Sequence, residues 1–262
     1  MTWIYNWPAW LFLLVATILT CAMTTFSLIW FRRSRFHRSE LTHNDVAGPV
    51  VTTAGTILAV MLSFMVVAVW QQFDQSAANV QIEAASLSDL YTISYGLPEP
   101  IRSSVQSQTR SYLQTVISRE WPLMRIGGTS HKARHDLYSL YRTLAQLRSV
   151  TADQGQTRAE ALQELQRAID ARRRRIYDNQ EGIPPTLWFV MITTSVITIG
   201  FIFFFRMHDE RTHILFTTAL TIIVVIVCVL IAELDYPFRG DISISPTSLQ
   251  NTMNYITEIT TQ

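Results

Sequence analysis

The sequence predicts an all-α membrane protein in which a helical soluble domain is inserted between the second and third of four transmembrane helices. The prediction rests on four apolar stretches of about 20 residues, nearly free of charge, because at ~1.5 Å rise per residue such a helix crosses a hydrocarbon core of about 30 Å. These stretches cover residues 9–31, 49–70, 186–205 and 214–232. Between the second and third, residues 71–183 show apolar residues at helical spacing and no strand-like alternation.

Charged residues end the apolar stretches and divide the chain into four segments. We expect a transmembrane hairpin over residues 1–70, a helical soluble domain over residues 71–184, a second hairpin over residues 185–233 and a C-terminal tail over residues 234–262. Aromatic residues precede the first span, and no small-residue cleavage pattern lies before its basic end. We therefore expect a retained anchor rather than a signal peptide.

Four amphipathic helices are predicted for the soluble domain. The second span continues outward through residues 73–91 as one long helix, and the next helix ends at the Gly127-Gly128 turn. A third helix covers residues 137–147, and a fourth begins near Thr157. Such helices can bury a bundle core, and the apolar seam of residues 73–91 is narrow enough to suit contacts between subunits as well.

Composition and motifs favour neither an enzyme nor a nucleic-acid-binding protein. The formal net charge is +1, and the basic residues are interspersed with acidic ones instead of forming a basic face. The two cysteines, Cys21 and Cys228, both lie in predicted spans. No nucleophile elbow or phosphate loop occurs, and the pair His131 and His135 lacks a third metal ligand. We therefore expect no catalytic residues, no cofactor and no metal site.

The second span differs from the others in its narrow, hydroxyl-bearing side. Five residues fall on this side of the helix, namely Thr52, Thr56, Val60, Ser63 and Phe64. Two interpretations stay open: the side lines an ion pathway, or its hydroxyl groups bond to the carbonyl four residues earlier and pack against neighbouring helices. No charge lies deep in any span, which argues against a proton relay or an ion-coupled carrier.

A run of four arginines precedes the third span. Its members are Arg172, Arg173, Arg174 and Arg175. One interpretation is a solvated helix end or a contact with anionic lipid headgroups. The other is a basic entrance: in a ring of subunits the run is repeated around the opening and attracts anions.

After the fourth span, the sequence resembles a segment of bestrophins in which an acidic helix end runs into Pro-Phe-Gly. The segment here reads Glu233-Leu-Asp235-Tyr-Pro237-Phe238-Arg-Gly240-Asp241. The stretch from Gly55 to Phe64 is similar to the bestrophin pore helix. With Glu120-Trp121-Pro122, the pattern covers nearly the whole chain and resembles that of the bacterial bestrophin-like proteins.

The resemblance implies a ring-shaped homo-oligomer, usually a pentamer, that conducts small anions such as chloride passively through a pore lined by the second helix. In bestrophins, bulky apolar residues one helical turn apart form a neck, and by register Thr56, Val60 and Phe64 take these positions here. The implied partners are further copies of the chain, membrane lipids and small inorganic ions, in a bacterial inner membrane. Arg239 interrupts the tail motif, and the acidic cluster of the animal calcium clasp is absent, so calcium gating is not expected.

The side of the membrane on which the soluble domain lies stays open. The positive-inside rule places it outside the cytoplasm, whereas the resemblance implies that it lies inside. The short-loop arginines that carry the first argument are Arg32, Arg33, Arg35, Arg38, Arg206 and Arg211. An alternative function also stays open, a sensor or scaffold whose helical domain binds a ligand or partner while the spans only anchor it.

The tail motif predicts a turn that folds the chain back after the fourth span. We expect Phe238 to dock near Trp70 and Phe73, because a large aromatic ring next to a turn is usually buried. We also expect the carboxylates of Glu233 and Asp235 to meet the arginine run. The alternative is a solvated turn that only ends the span.

Overall fold

The computed structural model describes residues 7–33, 44–147, 151–205 and 209–261. Within these ranges the chain forms helices and no β-strand, so the all-α prediction is confirmed. Three of the loop arginines that bear on membrane orientation lie outside the described residues, namely Arg35, Arg38 and Arg206.

Nine α-helices occur in the described residues. In chain order they are α1 (Ala9–Arg33), α2 (Asn44–Ile93), α3 (Ile101–Thr115), α4 (Trp121–Arg125), α5 (His131–Gln146), α6 (Ala152–Gln180), α7 (Pro185–Ile202), α8 (Glu210–Leu234) and α9 (Thr247–Thr261). A π-helical turn, Val116–Glu120, joins α3 to α4. The chain divides into two compact units, and the boundaries between them fall after Gln71, Glu181 and Asp235.

The first unit contains α1, α7, α8 and the first part of α2. Four helices, α1, α2, α7 and α8, are long and apolar enough to cross a membrane, as predicted. Within the unit α8 packs against α1 and α7. The limits differ in detail, since α7 ends at Ile202, before the predicted limit of the third span at Phe205.

Hydroxyl groups of the first unit bond to the backbone of their own helices. Thr24 Oγ1 lies 2.6 Å from the carbonyl oxygen of Thr20, and Thr221 Oγ1 lies 2.8 Å from that of Thr217. A buried hydroxyl without a partner is unfavourable, and the carbonyl four residues earlier is the partner that a helix supplies. For these residues the packing interpretation of the membrane hydroxyls is therefore correct.

The second unit is a helical bundle that contains the end of α2, together with α3 to α6 and α9. In this unit α3 lies against α5 and α9, and α5 packs against α6. Fully buried apolar side chains from five helices meet in its core, among them Leu87, Leu113, Leu140, Leu165 and Ile256. The four helices predicted for the soluble domain are all present.

Side-chain caps set where two of these helices begin. Ser130 precedes α5 and accepts a hydrogen bond from the backbone N–H of Ala133 at 3.2 Å. Thr151 does the same for α6, accepting from Gln154 at 3.3 Å. Both helices therefore start one to two turns before the first apolar residue from which the sequence placed them.

Helix α9 is an element that the sequence-based prediction missed. Leu249 and Ile256 are fully buried in the core of the second unit, and Thr252 Oγ1 donates to the carbonyl oxygen of Ala84 at 3.2 Å. The spacing of Leu249, Met253 and Ile256 is helical, but the segment is rich in threonine and asparagine, which have modest helix propensity. Its stability comes from packing rather than from local preference.

The π-helical turn changes which side chains face the core after Thr115. In a regular α-helix, Trp121 would lie about 180° around the axis from Tyr112. The wider turn reduces this rotation, and Trp121, Met124 and Tyr112 are all buried. The turn thus directs Glu120 and Trp121 into the interior of the second unit.

Candidate pore helix, charge network and tail motif

The five residues predicted to line a pore lie on an uncovered side of α2. Phe64 is 71% and Val60 is 50% exposed, and Thr52, Thr56 and Ser63 are exposed as well. The residues on the opposite side are at most 8% exposed, namely Leu58, Leu62, Met65 and Val69. One side of α2 therefore packs within the protomer, and the side that carries the predicted pore residues is free to face water, lipid or another protomer.

The hydroxyl groups on this side have their protons engaged. Thr56 Oγ1 donates to the carbonyl oxygen of Thr52 at 2.8 Å, and Ser63 Oγ donates to that of Ala59 at 2.8 Å. Each hydroxyl oxygen keeps its lone pairs available as acceptors. The backbone-bonding interpretation is thus correct for Thr56 and Ser63, and what these groups can offer an ion is oxygen lone pairs rather than an O–H donor.

Further along α2, the same side carries carboxylates. Helical spacing from Val60 through Val67 and Ala78 puts Asp74 and Asp89 on this side, and both aspartates are exposed. The helix contains no lysine, arginine or histidine. The charge on the uncovered side of α2 is therefore entirely negative over the described side chains.

A buried charge network lies in the second unit between α2, the π-helical turn and α6. Arg175 donates to the carboxylate of Glu83 through Nε at 2.7 Å and Nη2 at 2.9 Å, and its Nη2 lies 3.1 Å from Glu120 Oε2. Arg172 donates to the same Glu120 carboxylate through Nη2 at 2.6 Å and Nε at 3.1 Å. Tyr112 donates its O–H to Glu83. Two carboxylates and two guanidinium groups balance each other's charge in the interior.

The network also fixes protonation states. Burial alone disfavours the charged carboxylate of Glu120, but Arg175 and Arg172 outweigh burial and hold the pKa of Glu120 below its usual value. Burial and the negative charge of Glu83 raise the pKa of Tyr112 well above its usual value. At neutral pH Glu120 is therefore ionised, while Tyr112 keeps the proton that it donates.

The predicted basic entrance is wrong for two of its four arginines. The side chain of Arg175 is fully buried and that of Arg172 is 12% exposed, whereas Arg173 and Arg174 are exposed. Residues three apart on a helix share a face, so Arg172 and Arg175 turn inward together while the two between them point outward. A run of like charge in sequence is thus split by the helix into a structural pair and a solvated pair.

Phe238 of the tail motif is buried in the second unit, with 1% of its surface exposed. The sequence pointed to Trp70 and Phe73, but the ring that contacts Phe238 is Trp121, edge-to-face with centroids 5.7 Å apart. Trp121 in turn donates its Nε1–H to the carbonyl oxygen of Ile244 at 3.2 Å. The tail is therefore tied to the segment that follows the π-helical turn.

The acidic residues of the tail motif bind partners other than the arginine run. Asp235 accepts a hydrogen bond from the backbone N–H of Ile183 at 2.6 Å and lies 3.4 Å from Trp188 Nε1. Glu233 is buried as well. Since Arg172 and Arg175 bond to Glu120 and Glu83, the predicted contact is wrong for Asp235. Its carboxylate instead holds the residues at the start of α7.

Backbone bonds close the turn of the motif. The N–H of Ile244 donates to the carbonyl oxygen of Pro237 at 2.8 Å. Gly240 has φ +72°, in the left-handed region that favours glycine. Asp241, the last residue of the motif, is exposed.

Arg239, which interrupts the family motif, has a structural role. It is 7% exposed, its Nε lies 3.4 Å from Asn179 Oδ1, and its Nη2 also bonds to the backbone carbonyl of Asn179. The guanidinium lies over the Tyr236 ring, 4.2 Å from the centroid. A Cβ at Gly127 would come within 2.9 Å of Arg239 Nη2. The arginine thus fastens the tail to the end of α6 and fits under a glycine of the α4–α5 loop.

Four apolar helices, together with an uncovered polar and aromatic side on the longest of them, define a polytopic helical membrane protein. The chain belongs to the bestrophin-like family, since the family model for the bestrophin-like domain matches residues 18–249. A comparison with curated proteins gives no match. Family membership supports a membrane protein of the anion-channel type rather than an enzyme.

The fold is similar to crystal structures of a bacterial bestrophin homologue from Klebsiella pneumoniae. One has a TM-score of 0.71 at 13% identity, with 95% of this chain and 98% of the homologue covered. A single-residue variant of the homologue has a TM-score of 0.69 at 13% identity, with 96% and 98% covered. A third structure, of a membrane protein variant, has a TM-score of 0.72 at 13% identity, with 95% and 98% covered. At these identities the similarity is one of fold.

Proposed function

We propose that the protein is a homo-oligomeric channel of a bacterial inner membrane that conducts small ions, in the first place anions, by passive flow. The pore is lined by Thr52, Thr56, Val60, Ser63 and Phe64. The observation that carries the proposal is the uncovered side of α2: these five side chains are exposed while the opposite side of the helix is packed. Family membership supports the anion-channel class.

A ring of protomers is needed to turn this side into a pore. Four helices in one protomer leave no room for a hydrated path, whereas the α2 helices of several protomers can surround a common axis. A pentamer is the number that the family resemblance implies. Val60 and Phe64 then form an apolar constriction, which can gate by dewetting. In this proposal residues 1–70 and 185–233 form the membrane part, and residues 71–184 and 234–262 the soluble part.

The test combines assembly with conductance. Mass measurement of the purified, detergent-solubilised protein should give a closed ring, and a monomer or dimer would contradict the pore. In planar bilayers, the double variant Val60→Ala/Phe64→Ala should raise single-channel conductance, because a wider, less apolar neck wets more easily. The matched control, Val51→Ala/Val66→Ala on half-buried positions, should change stability more than conductance. The reverse pattern would place the pore on another side of α2, and silent bilayers would favour the anchored scaffold instead.

A second candidate is conduction of cations through the same pore. Two observations favour it: the exposed carboxylates Asp74 and Asp89 follow the neck on the same side of α2, and the Thr56 and Ser63 hydroxyls present lone pairs. Both features attract cations rather than anions. The sign of the reversal potential under a potassium chloride gradient decides between the two ions. If cations pass, Asp74→Asn and Asp89→Asn should weaken that preference.

A further inference from the structure

A cavity of about 340 Å³ opens at the surface of the second unit between α5 and α6. Three arginines line it: Arg134 from α5, and Arg172 and Arg173 from α6. Its apolar wall is formed by Leu137, Ile169 and Ile176. None of the described residues that line it is acidic. The volume falls in the range of small-molecule sites, roughly 300–1,000 Å³.

The three guanidinium groups are not equally neutralised. Arg172 is held by Glu120, as described above, so its position is fixed. Arg173 pairs with Asp170 at 3.3 Å, but both side chains are largely exposed, and such pairs are weak. Arg134 bonds to His131 Nδ1 at 2.8 Å, which makes the imidazole a neutral acceptor. Within the described residues no carboxylate forms an ion pair with Arg134, and the cavity keeps an excess of positive charge.

This combination defines the chemistry of a ligand. Guanidinium groups bind carboxylates and phosphates through charge-assisted hydrogen bonds. The apolar wall favours a ligand that also carries hydrocarbon or aromatic surface, since burying it removes apolar area from water. An inorganic ion would leave that wall unused, and a neutral hydrocarbon would leave the arginines unused.

We propose that the cavity between α5 and α6 binds an organic anion, a carboxylate or phosphate monoester carried on an apolar body, with Arg134 and Arg173 at its charged end. Arg172 connects this site to α2. It lines the cavity and bonds to Glu120, which also accepts from Arg175, and Arg175 bonds to Glu83 of α2. A ligand that competes with Glu120 for Arg172 changes the charge balance on α2. This regulatory step rests on the proposed function, whereas binding does not.

Binding is tested by calorimetry on the full chain in phosphatidylcholine nanodiscs, with phenyl phosphate as the probe. Inorganic phosphate lacks the apolar body and benzyl alcohol lacks the charge, so both should bind at least about tenfold more weakly. Arg134→Gln and Arg173→Gln should each weaken phenyl phosphate binding by about tenfold to a hundredfold, the loss of one charge-assisted hydrogen bond.

The matched control is Arg174→Gln, an exposed arginine of the same run that does not line the cavity. It should change the affinity by less than about twofold, since an exposed charge outside the contact is screened. No binding of phenyl phosphate to the unmodified protein would overturn the proposal. Equal weakening by Arg174→Gln and Arg134→Gln would also overturn it, because it would show general attraction to a basic surface.

The source of the anion is decided by adding phosphatidylglycerol to the nanodiscs. If the lipid competes with phenyl phosphate, the occupant is a lipid headgroup, and if it does not, the occupant is a soluble organic anion. Both outcomes support the site. In planar bilayers phenyl phosphate should change the open probability of the unmodified protein but not of Arg134→Gln. Calorimetric binding with no current at all would refute the channel and leave the site standing.

Discussion

Arg175→Met removes the central cation of the buried network while keeping a side chain of similar length. In the native protein Arg175 makes two hydrogen bonds to Glu83 and one to Glu120, and its side chain is fully buried. After the substitution Glu120 still has Arg172, but Glu83 keeps only the O–H of Tyr112. The variant therefore leaves a carboxylate buried without a compensating charge.

The expected loss in the free energy of unfolding is about 3–5 kcal/mol, the range found when one partner of a buried ion pair is removed. This is roughly two to four orders of magnitude in the folding equilibrium constant. For a unit of this size it lowers the midpoint of thermal unfolding by about 10–20 °C. The midpoint is measured by far-ultraviolet circular dichroism on the purified protein in detergent, over the transition of the soluble helices.

Arg174→Met is the matched control, because it removes the same charge one residue away at an exposed position. It should shift the midpoint by no more than about 2 °C. The double variant Glu83→Met/Arg175→Met should be more stable than Arg175→Met alone, because no unpaired charge is left in the interior. If Arg175→Met and Arg174→Met unfold at the same temperature, the network does not stabilise the fold and the reasoning fails.

Two further predictions concern the tail and the response to acid. Phe238→Ala should lower the free energy of unfolding by about 3–5 kcal/mol and weaken ring assembly, while Ser243→Ala should do neither; equal effects would make the motif a simple terminator. Glu120 has a lowered pKa, so its stabilising contribution is present above its unfolded pKa of about 4.3 and is lost as the pH falls through the folded value. The stability gap between the unmodified protein and Glu120→Gln should therefore narrow when denaturation is followed from pH 7 down to pH 3, and a constant gap would contradict the assignment.

Local patterns were enough to predict the helices of the membrane unit and most of the bundle. A stretch of about 20 apolar residues has few alternatives to a membrane helix, whatever the rest of the chain does. The long helix through residues 73–91 followed from apolar spacing of three and four, and α2 runs without interruption to Ile93. Position on a helix face also carried over, since the predicted pore residues and the packed residues of α2 fall on opposite sides.

Long-range partners could not be predicted in this way. Arg175 and Glu83 are 92 positions apart, and nothing near either residue in the sequence marks the pair. The arginine run looked uniform because its charge is uniform, while burial depends on which residues face the core. Trp121 lies in a motif quoted for the family resemblance, yet its contact with Phe238 depends on the π-helical turn. Helix α9 was missed because its threonines and asparagines mask three well-spaced apolar residues.

The π-helical turn makes the second unit unusually sensitive to insertions and deletions at one place. Removing any single residue between Val116 and Arg119 would restore ordinary α-helical geometry and turn everything that follows by about 100°. Glu120 would then leave Arg172 and Arg175, and Trp121 would leave Phe238. Elsewhere on a solvated helix or loop a one-residue deletion is often absorbed locally. Here the extra residue sets the phase between the two halves of a helix, and the charge pairing and the anchoring of the tail both depend on that phase.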